Sequence, residues 1–448
     1  MITLSSDESF HFELLRFLAL ARYSGSDVAE VLRLADRIIP GDFESWYTEF
    51  NNLAERIESQ ANKIDLSKHP VSARDFYMRA SSYFRGADFY LHGNPKDPRI
   101  RGLWQKQARC FDKALSLLPI PGKRITLKAH GFEVPTIFYE SWITPAGLDP
   151  KAPRPAIVIG NGFDGAQEES MHFNGFAALE RGFHVITYEG PGQCTVRREQ
   201  GLGFIPEWEK VVSPVLDYYL SYSSATDPKH PASLIDHKKV GLIGLSMGGY
   251  LAARAAVFES HRLAAVALND GVYSIGMAFD TMTPQKIKDQ IAEFVAKSEG
   301  TAESATKDPS DAQIGAAVEA LLKQVSQASG TAQLPTKLRW GITHGMWSFN
   351  VSSPAEYLER SQLMSLEGGL ARKISCPVWV GEAADDLFFE GQPGMLTDAI
   401  NEGKAKQNAT RVILTEEDAA GAHCHVGAAC LVNKLIFDWF EDIINASG

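Results

Sequence analysis

Residues 239–256, KVGLIGLSMGGYLAARAA, decide how the chain is read. Val240–Leu245 is a short apolar run, and Tyr250–Ala256 is a small-residue run suited to a helix. Between them Gly244-Leu245-Ser246-Met247-Gly248 fits the pattern G-x-S-x-G. Glycines two places before and after the serine let a strand turn sharply into a helix. The turn lifts the Ser246 hydroxyl above the sheet in a strained conformation. The Met247 N–H is then aimed where an oxyanion would form, at a helix N-terminus that favours negative charge. The flanking strand and helix make this pattern a nucleophile elbow rather than an incidental cluster of small residues.

Strand and helix patterns alternate on both sides of the elbow. Upstream, Arg124–Ala129 and Val134–Glu140 alternate like the arms of a hairpin turning at His130-Gly131. Ala156–Ile159 and Phe183–Tyr188 read as strands, with helices over Glu168–Glu180 and Glu207–Tyr222. Downstream, Leu263–Leu268, Val378–Val380 and Arg411–Leu414 read as strands, and Val426–Ile444 closes the chain as a helix. Short, fully apolar strands alternating with helices predict a mostly parallel, eight-stranded sheet covered on both faces. The alternation is interrupted between Asp270 and Trp347. That segment offers helices through Ile287, Ile291, Phe294 and Val295 and through Ile314, Val318, Leu321, Leu322 and Val325, the second opened by a Ser310/Gln313 capping box. The breaks fall at Ser298-Glu299-Gly300-Thr301 and Ser329-Gly330-Thr331. An insertion of about 271–347 over the strand ends is where a lid would sit.

Residues 8–118 read as five helices broken at Ser24-Gly25, Pro40-Gly41, Pro70, Gly93-Asn94-Pro95 and Pro119. The chain therefore divides into a helical domain, 1–120, and a strand–helix core, 121–448, that carries the lid. The aromatic stripes of the first domain are read as core ahead of substrate lining.

An elbow serine needs a base, and the base needs an orienting acid. After the strand ending at Val380 the sequence continues Gly381-Glu382-Ala383-Ala384-Asp385-Asp386-Leu387-Phe388-Phe389. Asp386 is chosen as the acid, because Phe389 three residues on supplies an apolar anchor. Asp385 is the close alternative and Glu382 a third. After the last strand, a small-residue loop leads to His423-Cys424-His425. His423 is the expected base, with His425 as runner-up. No second Cys/His group lies nearby at ligand spacing, so no metal and no cofactor is expected. The second oxyanion donor is expected from Gly160-Asn161-Gly162-Phe163-Asp164-Gly165, at the Phe163 N–H. Tyr188, Trp347 and Phe349, with Phe163, suggest an apolar, aromatic-tolerant substrate pocket. Glu189 is read either as a substrate contact or as the residue that fixes its own turn.

NGFDGAQEE, YEGPGQ, GLSMGG, WGITHGMWSFNVSSPAEYL, DDLFFEGQP and AHCHVGA, with the helical N-terminal segment, resemble one branch of the α/β-hydrolases. That branch is the esterase-like family of the fermentation-respiration switch protein. It includes bacterial 2,6-dihydroxypseudooxynicotine hydrolase and the fungal pigment hydrolases that shorten polyketide chains. The resemblance covers nearly the whole chain. It implies a helical domain acting as part of a cap, Ser246, Asp386 and His423 as a triad, and carbon–carbon bond hydrolysis of ketones in several members. The extra residue in Gly381–Asp386 departs from the pattern and leaves the acid open. The triad serves ketones and esters alike. A carboxylesterase or lactonase, and a non-hydrolytic pathway enzyme, therefore stand as alternatives to a polyketide-type ketone hydrolase.

Composition bounds the rest. The 448 residues are 44% hydrophobic and 22% charged, with a formal net charge of −11. That balance suits a soluble protein with a small-molecule substrate and argues against nucleic acid or an anionic membrane surface. Five scattered cysteines imply no disulfide framework. The N-terminus lacks a basic, apolar leader, and His11, Glu13 and Arg16 interrupt its apolar residues, so a cytoplasmic location is expected. The helical domain is also a candidate surface for a homodimer, by analogy alone.

Overall fold

Apolar runs buried on both sides build the middle of the sheet. The computed structural model describes residues 2–221, 223–299, 309–327 and 334–446. Among these, eight strands form one sheet. They are β1 (Lys123–Lys128), β2 (Glu133–Tyr139), β3 (Arg154–Gly160), β4 (His184–Tyr188), β5 (Ile235–Leu245), β6 (Ala265–Asn269), β7 (Val378–Ala383) and β8 (Ala409–Leu414). Their order is β1-β2-β4-β3-β5-β6-β7-β8. β2 pairs antiparallel with β1 and β4, and the other pairings are parallel. The alternation of side chains splits the core in two: Ile157 and Ile159 join one apolar cluster, Ala156 and Val158 the other. This is the mostly parallel, helix-flanked sheet expected from the sequence.

Five helices precede the sheet: α1 (Glu8–Ala19), α2 (Val28–Ala35), α3 (Phe43–Ala61), α4 (Pro70–Asp88) and α5 (Pro98–Leu115). Their starts are set locally. The Asp42 carboxylate accepts the N–H groups of Glu44 and Ser45, and Pro98 follows the Asp97 cap in the first turn of α5. Trp46 packs at the centre, its ring 4.7 Å from those of Phe10 and Phe50 and 5.0 Å from that of Tyr90. Much of the aromatic stripe is therefore core. Phe12 points elsewhere, as described below.

The sheet is covered by α6 (Phe176–Glu180), α7 (Cys194–Glu199), α8 (Glu209–Tyr219) and α9 (Gly248–Glu259) before β6, and by α15 (Gln392–Asn401) and α16 (Ala429–Ala446) at the end. Between β6 and β7 come α10 (Met277–Met282), α11 (Gln285–Glu299), α12 (Asp311–Gln327), α13 (Thr336–Ser348) and α14 (Pro354–Gln362). The capping box is present: Gln313 Oε1 accepts the Ser310 N–H at 2.8 Å, and the Ser310 hydroxyl accepts the Gln313 N–H at 3.4 Å. The breaks expected at Gly300-Thr301 and Ser329-Gly330-Thr331 lie outside the described residues, as do the side chains of Leu322 and Val325. One expected helix is shorter than read. Over 168–180 the chain first makes a π turn, Met171–Gly175, and α6 begins only at Phe176. Glu168 and Glu169 stand ahead of it, held by ion pairs with Arg124 and Arg16. No helix among the described residues is long and apolar enough to cross a membrane.

Candidate active site

The turn between β5 and α9 carries the site. Ser246 sits at φ +58°, in the left-handed region that non-glycine residues rarely occupy. Its N–H donates to Asn269 O at 2.7 Å, and its carbonyl accepts the Gly249 N–H at 2.7 Å. Two hydrogen bonds thus hold the strained residue in place. Gly244 is needed for close approach, because a Cβ there would run into Gly248 O.

His423 lies in the loop between β8 and α16, and its Nε2 is 2.8 Å from Ser246 Oγ. The Nδ1–H donates to Asp386 Oδ2 at 2.8 Å. Asp386 Oδ1 in turn accepts the N–H groups of Phe388 and Phe389 at 2.7 and 2.9 Å, which fixes the carboxylate's orientation. Of the three acids weighed from the sequence, Asp386 is the one brought to His423. Asp385 is exposed, its N–H donating to Gly421 O, and Glu382 pairs with Arg411. His425 is buried with its Nδ1 on Ala420 O at 2.8 Å.

A residue that sequence reading missed joins the group. Asp270, just past the end of β6, places Oδ2 2.8 Å from His423 Nδ1 and accepts the Cys424 N–H at 2.9 Å. Two buried carboxylates therefore share one imidazole. Burial pushes Asp386 up, and the neighbouring Asp270 adds to that rise, while His423 opposes it. Asp270 is itself resisted by burial, yet His423 holds it well below the usual carboxylate range. Burial disfavours charge on His423, but Asp386 and Asp270 outweigh it and hold the imidazole well above its ordinary value. Asp270, His423 and Cys424 also bring ligand atoms within 4.8 Å of one another. The imidazole divides them, with Asp270 at Nδ1 and the Cys424 thiol 3.7 Å from Nε2.

The oxyanion candidates meet at the same place. A Cβ on Gly162 would come 2.7 Å from Leu245 O and 2.9 Å from Met247 N. The backbone before Phe163 thus lies directly against the elbow, and Met247 and Phe163 both line the cavity above Ser246. About 830 Å³ of empty space lies in this cavity and its open mouth. Its apolar wall includes Phe12 from α1, Phe163, Phe173, Met282 from α10, Trp340 from α13 and Phe388. Glu13, Arg16 and Asp164 add a polar patch.

Four residues expected to contact substrate do not line this cavity. The Tyr188 hydroxyl accepts the Trp208 indole N–H at 3.3 Å in the core. Glu189 is fully buried and accepts the N–H groups of Gln167 and Thr195 at 2.9 and 2.8 Å, so it fixes its turn. Trp347 stacks on His92 at 4.1 Å. Phe349 is buried between Phe204 and Tyr357, at 5.3 and 5.2 Å. Each has its partners inside the protein, a distinction that residue type alone does not carry. Phe12, Glu13, Arg16 and Trp340 line the cavity in their stead and left no local signal of it in the sequence.

The chain resembles known hydrolases over nearly its whole length. No protein-family model matches the chain. The chain is 31% identical to the 20-hydroxy-prefusarin hydrolase FUS2 of Gibberella moniliformis, over 97% of this chain and 96% of that one. It is 30% identical to hydrolase acrC of Aspergillus aculeatus, over 97% and 96%. It is 29% identical to the alpha/beta hydrolase psoB of Aspergillus fumigatus, over 96% and 92%. Among solved structures, 2,6-dihydroxy-pseudo-oxynicotine hydrolase superposes with a TM-score of 0.67 at 19% identity, covering 96% of each chain. AbyA5 superposes with a TM-score of 0.58 at 16% identity, covering 93% of this chain and 95% of that one. At such identities what the chain shares with the two structures is the fold.

Proposed function

This chain belongs to the α/β-hydrolase family and is a hydrolase, and on that premise we propose that it is a serine hydrolase of fungal-type secondary metabolism. It cleaves a carbon–carbon bond or an acyl group of a polyketide-like or aromatic ketone. The observation that carries the reading is the continuous chain Ser246 Oγ–His423–Asp386, with 2.8 Å at each link, opening into an aromatic cavity. His423 takes the Ser246 proton as the hydroxyl attacks the carbonyl carbon. The N–H groups of Met247 and Phe163 stabilise the oxyanion, at about 3–4 kcal/mol per donor. The acyl–carbon bond then breaks, its electron pair leaves with the carbanion, and His423 returns the proton to that carbon. Water, with His423 as base, releases the acid from Ser246. The α1–α5 helices and the α10–α13 insertion cap the site on this reading, supported by Phe12, Met282 and Trp340 in the cavity wall.

Product analysis tests it. Incubation with an acyl-naphthol ketone should release a carboxylic acid and free naphthol, and Ser246→Ala should abolish both. Turnover of an aryl ester alone would make this an esterase, and turnover of neither would refute the reading.

A further inference from the structure

Five ionisable side chains meet beside the Ser246 cavity. Arg16 on α1 donates to Glu169 from Nε and Nη2 at 2.9 and 2.8 Å, and to Asp164 from Nη1 at 2.7 Å. Arg85 on α4 lies 3.0 Å from both of the same carboxylates. Asp164 and Glu169 thus take the shortest contacts of both guanidiniums. Glu13, one turn before Arg16 on α1, is the third carboxylate, and it meets Arg16 only at 3.4 Å. Tyr90 also faces it. Glu13 is 3% exposed and lines the cavity, next to Phe12, whose ring is 5.9 Å from that of His423. Burial pushes its carboxyl up to about 7. Asp164 and Glu169 add to the rise, while Arg16 and Arg85 oppose it. Below that value the carboxyl, set with Arg16 and Asp164 in a wall that also holds Phe12, Phe163 and Trp340, is a donor that a ligand oxygen can satisfy.

The geometry points to Glu13 as a substrate-recognising residue: its carboxyl O–H donates to a second carbonyl oxygen on the acyl chain whose first carbonyl Ser246 attacks. The cavity then favours oxo-acyl substrates over plain acyl ones. The inference rests on the hydrolase reading above and adds the substrate class. No proton is transferred at Glu13. The hydrogen bond forms with the neutral carboxyl and is lost when the group ionises.

The test compares p-nitrophenyl hexanoate with p-nitrophenyl 4-oxohexanoate and 5-oxohexanoate in the wild type, Glu13→Gln and Glu13→Leu. The wild type should favour at least one oxo ester by about tenfold in kcat/KM, the worth of one hydrogen bond. That preference should hold below pH 7 and fade above it. Glu13→Gln keeps a donor that does not ionise, so it should retain the preference and lose its pH dependence. Glu13→Leu should lose the preference and still hydrolyse hexanoate. No oxo preference in the wild type would overturn the inference. So would an equal fall for all three esters in the variants, which a purely structural carboxyl would give. A wild type inert to all three esters but active on the acyl-naphthol ketone would overturn this inference alone, and one inert to that ketone as well would overturn the proposed function with it.

Discussion

His423 Nδ1 lies 2.8 Å from Asp386 Oδ2 and equally 2.8 Å from Asp270 Oδ2. One ring N–H faces two carboxylates, so removing either leaves the other in reach. Losing the sole acid of a triad costs about 10⁴-fold in kcat. Asp386→Asn should therefore fall well short of that loss, and Asp386→Asn with Asp270→Asn should reach it. Steady-state kcat for the two single variants and the double variant checks this. Equal losses in Asp386→Asn and the double variant would remove Asp270 from the account.

The same pair sets a pH dependence. Burial works against charge on His423, but Asp386 and Asp270 hold its folded value well above the usual one. As the proposed base, His423 acts only when neutral, so kcat/KM should fall as pH drops through that raised value. Asp270→Asn removes one of the charges raising it. The acid limb of the pH–kcat/KM profile should then shift to lower pH.

Much of this site is legible in the sequence, for a physical reason. In Gly244-Leu245-Ser246-Met247-Gly248 the glycines at 244 and 248 sit where the backbone is crowded, so the elbow announces itself. The Asp386 loop follows the buried apolar strand β7, and the His423 loop follows β8, which pairs beside it at the sheet edge. Asp270 is different. An acid in Asn269-Asp270-Gly271 reads as an ordinary strand-end turn, and only the packing of β6 beside β5 and β7 brings it to His423. Glu13 and Arg16 are farther from prediction still. Helical periodicity shows that α1 has a buried face but not that this face meets a loop some 150 residues away.

Gly162 should tolerate no side chain. A Cβ there would press on Leu245 O and Met247 N, at 2.7 and 2.9 Å, and drive the Phe163 loop off the elbow. Gly162→Ala should lower kcat by about a hundredfold, as loss of one oxyanion donor does, with KM little changed. Single-turnover acylation by an aryl ester measures the effect.

Arg16 joins α1 to the loop after β3 through buried pairs with Asp164 and Glu169. Arg16→Met strips both carboxylates of one cation while leaving them buried. The unfolding free energy should drop by about 3–5 kcal/mol, measured by urea denaturation at pH 7. Burial disfavours the Asp164 charge, but Arg16 and Arg85 hold its value well below the usual range. Its contribution is therefore present above about pH 4, the unfolded value, and is lost as pH falls toward the folded one. The drop caused by Arg16→Met should shrink accordingly in strong acid.

Activation of Ser246 by His423 is the step on which the proposed function stands. The most direct measurement is a fluorophosphonate probe with the adduct mapped by peptide mass spectrometry, in the wild type, Ser246→Ala and His423→Ala. A single adduct on Ser246 is expected in the wild type and none in either variant. A folded wild type that resists the probe, or a His423→Ala variant labelled as fast as the wild type, would contradict it.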